Sequence, residues 1–132
     1  GAAGRTLDMM LQEAGISRGD CFITNMVKCW PGEGNPDPAP EEIEACAPFL
    51  DAQLDIIQPL GIVTFGRYST SKWIEFSTMR SVQGVIRKFE WPNGQPCFVM
   101  PVYHPAYIGR NPAEKEGAVE ALRNFREVVY RE

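Results

Sequence analysis

Three short apolar runs limit what this chain can fold into: CFITNMV at 21–27, GIVTF at 61–65 and PCFVMPVY at 96–103. The first two are short and partly β-branched and show no polar alternation. That pattern marks strands buried on both faces of a parallel sheet. Helical stripes separate the runs. Leu7, Met10, Leu11 and Ala14 share one face of a helix over 5–14, and Gly15 stops it. Glu41, Glu42 and Glu44 follow Pro40 as at a helix N-terminus, and Ile43, Cys46, Leu50, Leu54 and Ile57 continue as a stripe. Pro48 breaks or kinks that segment and Pro59 ends it. The proline- and glycine-rich stretch WPGEGNPDPAP between the first strand and this helix is a loop.

Gly66 marks a tight turn into a helix that takes in Ser71 to Phe76. Pro92, Asn93 and Gly94 separate VIRKFEW from PCFVMPVY and predict a hairpin, the one antiparallel element. Asn111 as N-cap, Pro112 at the first helical position and Glu114 three residues after the cap start the last helix. Its buried stripe is Ala118, Leu122, Phe125 and Val129. Strands alternating with helices predict an open, mostly parallel α/β sheet with ligands beyond the carboxyl ends of its strands. That rule selects Asn25 to Cys29, Gly66 with Arg67, and His104 onward.

A length of 132 residues fits a single domain, and 44% hydrophobic with 23% charged residues is a soluble globular composition that excludes disorder and a coiled coil. No apolar run reaches the roughly 18 residues of a bilayer span, and GAAGRTLDMM has no signal-peptide pattern, so the expected location is the cytosol, without a membrane partner. Charge is uneven. Residues 1–60 hold 3 Lys/Arg against 10 Asp/Glu, and residues 61–132 hold 10 against 7. The split points weakly to an anionic partner on one face; a solvated acidic helix beside a mixed tail is the commoner explanation.

Cys21 and Cys97 sit in apolar strand-like runs, where a thiol serves as a small hydrophobe. Cys29 and Cys46 flank the proline-rich loop, a less ordinary place. His104 is the only histidine. A lone histidine is more often structural than catalytic, but its position where a strand stops puts the functional reading level with the structural one. Asn25, an amide inside an apolar strand, must either cap local backbone or read a ligand.

The string ITNMVKC, Cys46 seventeen positions after Cys29, FG at the end of a buried strand, and YHPAYIGRNP together resemble the iron-sulfur class of uracil-DNA glycosylases, known as family four. The resemblance runs from GAAGRTLD to the last helix. It implies a three-layer α/β/α sandwich with a mostly parallel sheet, here lacking its first strand, in a single domain over 1–132 that is N-terminally incomplete. It also implies a DNA-repair glycosylase that flips uracil out of DNA and hydrolyses its N-glycosidic bond. Asn25 would pair with O4 and N3–H of the flipped base, a pattern that cytosine reverses. His104 would hydrogen-bond O2 as negative charge develops there, with Pro105 beside it at the substrate. Tyr107 and Ile108 would enter the duplex as apolar wedges and Arg110 would meet a phosphate.

By the same resemblance, Cys29 and Cys46 match two of the four ligands of a four-iron four-sulfur cluster. The other two, with the water-positioning acidic motif, lie upstream in the family. The 132 residues alone are therefore expected to hold no cluster, to turn over poorly, and to self-associate through the face left uncovered. Other readings remain open: a nucleic-acid or nucleotide binding module of this fold without chemistry, a zinc site at Cys29 and Cys46, and, less well supported, a reactive-cysteine enzyme.

Overall fold

The computed structural model describes residues 1–21 and 50–131. The chain divides into two compact units, Gly1–Phe22 with Leu60–Glu132, and Ile23–Pro59. The strand expected at 21–27, the proline-rich loop, the helix start after Pro40 and the break at Pro48 lie outside the described residues, apart from Cys21, whose backbone is extended.

In the second unit, residues 50–57 are helical (α2). Leu50 is buried as expected. Ile57, expected in the buried stripe, is instead exposed, as is Ile56. It occupies the last helical position, beside Gln58 at φ 44° and Pro59, where the helical phase of the stripe is lost.

The first unit begins with α1 (Ala2–Ala14), ended by Gly15 at φ 77°. Then come β1 (Gly61–Phe65), α3 (Arg67–Ser71), α4 (Met79–Val82), β2 (Arg87–Glu90), β3 (Pro96–Val102), α5 (Pro105–Arg110) and α6 (Lys115–Arg131). The strand order is β1-β3-β2, with β1 parallel and β2 antiparallel to β3. The result is an α/β fold around a small mixed sheet. The hairpin forms at the expected residues: Gly94 turns at φ 86°, and the Trp91 N–H bonds the Gln95 carbonyl at 2.9 Å.

Central β3 is apolar throughout because both its faces are covered. Phe98, Met100 and Val102 face a core built with Met10 and Ala14 of α1, Ile108 of α5, and Ala118, Val119, Leu122 and Phe125 of α6. On β1, Val63 and Phe65 join the same face. Gly61 lets α6 approach, since a β-carbon there would sit 2.8 Å from Val129 Cγ2 and 2.9 Å from Phe125 Cζ. Thr64 points the other way, and its hydroxyl meets that of Thr70 on α3 at 2.9 Å, both side chains being buried. Hence α1, α5 and α6 cover one face of the sheet and α3 the other.

Two helix boundaries differ from expectation. The helix after Gly66 stops at Ser71 rather than reaching Phe76. Its sequence, RYSTS, is rich in hydroxyls that bond backward: Ser69 Oγ to the Phe65 carbonyl at 2.8 Å and Ser71 Oγ to the Tyr68 carbonyl at 2.7 Å. Asn111 does not cap the last helix through its side chain, which donates to the Tyr107 carbonyl at 2.9 Å. Residues Pro112–Glu114 form a 3-10 turn, and α6 begins at Lys115.

Pro101 fits inside β3 because its nitrogen faces the side where β2 has already ended: β2 starts at Arg87, opposite Val99. Among the described residues, no helix is long and apolar enough to cross a membrane.

Candidate active site

The parallel pair of β1 and β3 ends in register, Phe65 opposite Val102, and the Gly66 N–H extends the ladder by one bond to the Val102 carbonyl at 2.9 Å. Beyond that rung the two chains turn apart, one into α3 and the other into α5. This is the carboxyl edge at which open sheets bind ligands. Gly66, at φ 88° and ψ 174°, has a backbone that side-chain-bearing residues rarely adopt. A β-carbon on it would approach His104 Cβ to 3.2 Å and Cδ2 to 3.4 Å. The glycine is therefore the floor on which the imidazole rests.

His104 is the N-cap of α5. Its Nδ1 accepts the Ala106 N–H at 3.0 Å, and its carbonyl accepts the Ile108 N–H at 3.1 Å. Pro105, at the first helical position, has no N–H to compete for the cap. With Nδ1 committed as acceptor, the neutral ring carries its proton on Nε2 and is a donor there. Burial, and secondarily the Arg110 charge, hold its pKa below the ordinary 6.5. At neutral pH the strand end thus presents an uncharged N–H donor of fixed tautomer.

Arg110, in the last turn of α5, and Arg67, in the first turn of α3, are both exposed, and the Arg110 charge is felt at the imidazole. Tyr107 is half-buried, its ring 4.8 Å from that of Tyr103. Ile108 requires a correction. It is 1% exposed and lies in the core, so it fastens α5 to the fold instead of projecting toward a duplex. An open groove of about 360 Å³ runs along α3, lined by Arg67, Tyr68, Ser71, Ile74, Glu75 and Phe76. His104 is not part of its wall.

His104, Pro105, Tyr107, Ile108 and Arg110 are thus gathered on one turn after β3. Asn25, Cys29 and Cys46 lie outside the described residues. Among those described, no cluster of three or more His, Cys, Asp or Glu could hold a metal. Cys97 is 1% exposed in β3, and burial pushes its thiol up to about 11. Sequence reasoning overlooked the Thr64–Thr70 bond that pins α3, and with it Gly66, against β1. The signal was a hydroxyl inside an apolar strand, which must find a partner when buried.

Comparison with known families settles the lineage, since the model of the uracil DNA glycosylase superfamily matches residues 1–126. The chain belongs to the uracil-DNA glycosylase superfamily. Within that superfamily it is similar to proteins named type-4 uracil-DNA glycosylase. It is 43% identical over 136 residues to that of Sulfurisphaera tokodaii, covering 98% of this chain and 60% of the relative. It is 40% identical over 134 residues to that of Saccharolobus solfataricus, covering 98% and 62%. To the Archaeoglobus fulgidus protein it is 39% identical over 122 residues, covering 88% and 60%. The chain therefore spans about three-fifths of the length of these superfamily members.

Proposed function

We propose that this chain carries the leaving-group half of a DNA-repair glycosylase that hydrolyses the N-glycosidic bond of uracil flipped out of DNA. The observation that carries the reading is His104 at the carboxyl edge of the sheet, with Nδ1 tied to the Ala106 N–H and Nε2–H free to donate. Cleavage breaks the bond between uracil N1 and the sugar carbon, and the bonding electrons leave with the base. Negative charge then spreads to O2, where a fixed neutral donor lowers the barrier. Water adds hydroxide to the sugar carbon and releases a proton. No residue of this chain is assigned to position that water.

Asn25 completes the reading: its amide N–H donates to O4 and its carbonyl accepts N3–H, which selects uracil over cytosine. Arg110 meets a phosphate of the flipped nucleotide's strand, and Tyr107 lies against the DNA. Cys29 and Cys46 serve as two ligands of a four-iron four-sulfur cluster whose remaining ligands come from outside these residues. The protein works on cytoplasmic DNA, and copies of the chain associate, which sedimentation would detect.

The test is uracil release from a duplex with a single uracil. His104→Ala in the native protein is expected to lower the single-turnover rate by about 100- to 1,000-fold, the scale of losing one oxyanion donor, with DNA affinity little changed. Asn25→Asp should abolish selection of uracil. DNA binding without excision by either version would point instead to a binding module.

A further inference from the structure

Past Val99, β3 has no β2 beside it, yet its backbone still points groups to that side at Pro101 and Tyr103. Pro101 offers only a carbonyl, which accepts the Gly84 N–H at 2.8 Å. Tyr103 offers an N–H, and the side-chain Oε1 of Gln83 accepts it at 2.8 Å. On the opposite side the Val102 carbonyl takes the Gly66 N–H. The last residues before His104 are therefore held from both flanks, by main chain on one and by a side-chain amide on the other.

The support beneath Gln83 is itself rigid. Thr78 caps α4 by accepting the Ser81 N–H, Val82 is buried, and the Gln83 N–H bonds the Met79 carbonyl at 2.8 Å. Gln83 thus leaves α4 with its backbone fixed and its amide aimed at the end of β3. An unpaired Tyr103 N–H would turn toward water or another acceptor, rotating the peptide that precedes Tyr103 and carrying His104 with it.

We propose that Gln83 is a positioning residue for His104, standing in for the missing strand neighbour and fixing the backbone from which the imidazole projects. Its kinetic consequence rests on the glycosylase reading; its structural consequence does not. His104 is the only histidine among these 132 residues, and a His104→Ala reference assigns its ring nitrogens among the NMR signals of the native protein. In the native protein, Gln83→Leu is expected to lower kcat for uracil release by about 10- to 100-fold, the scale attached to small misplacements of a reacting group. KM should stay within about twofold. The His104 nitrogens should depart from the single Nε2–H tautomer.

Gln83→Glu keeps the acceptor oxygen. It should preserve the tautomer and raise the His104 pKa, because a carboxylate beside the strand end favours the imidazolium against the opposing Arg110 charge. Two results would overturn the proposal: unchanged kcat and unchanged His104 signals in Gln83→Leu, even with a lowered melting temperature, or an unmoved His104 pKa in Gln83→Glu. Should Gln83→Leu fail to fold, the Gln83→Glu titration decides alone. Should the native protein release no uracil, the glycosylase reading fails, and the two NMR measurements still decide the role of Gln83.

Discussion

Gly66 and His104 compete for one space: a β-carbon built at position 66 would lie 3.2 Å from His104 Cβ and 3.4 Å from Cδ2 of its ring. Neither residue can be changed without consequence for the other. Gly66→Ala is expected to cost about 1–3 kcal/mol of folding free energy from its positive-φ, extended-ψ backbone, and to push His104 off the Ala106 N–H. Chemical denaturation reads the first effect and the His104 nitrogen shifts read the second. Wild-type shifts in a folded Gly66→Ala protein would show that the contact has no role in holding the ring.

The pH behaviour of His104 has a definite sign. Burial and Arg110 lower its folded-state pKa below the unfolded value of 6.5, so the native state binds fewer protons than the unfolded chain in the window just below 6.5. Stability should fall as pH drops through that window and be unaffected by this group above it. An NMR titration of the His104 ring giving a midpoint above 6.5 would contradict this.

Thr64 and Thr70 should couple. Thr64→Val leaves the Thr70 hydroxyl buried with no partner and is expected to cost about 1–3 kcal/mol, whereas the double change to valine should recover much of it. A double-mutant cycle from urea unfolding measures the coupling; simple additivity would refute it.

Cys97 should be silent toward thiol reagents at neutral pH, since its thiol is buried and pushed up to about 11. Peptide mapping after brief iodoacetamide treatment should find it modified only once the protein is unfolded. Labelling of Cys97 in the native protein would mean that β3 opens locally.

Much of this arrangement was legible from periodicity and turn chemistry. GIVTF and PCFVMPVY became the parallel pair because uninterrupted apolar runs suit strands covered on both faces. Asn93 and Gly94 supplied the turn, and the rule for strand ends led to Gly66 and His104 before any geometry was known. Other features were hidden because they depend on contacts distant in sequence. Nothing local says that Gln83 meets Tyr103, or that Ile108 turns inward while its neighbour Tyr107 stays half-exposed. The early stop at Ser71 was readable in principle, since hydroxyl-rich segments compete with their own helix.

A hairpin ordinarily zips until one strand runs out of partners, and Pro101 sets that stop here. Lacking an amide hydrogen, it denies β2 the next rung, so the ladder closes at Val99. The fold thereby hands the strand edge just before His104 to Gly84 and Gln83, which grip it where β2 would otherwise run. Restoring an ordinary amide at that position would invite the hairpin to creep forward and prise that grip away from the strand end.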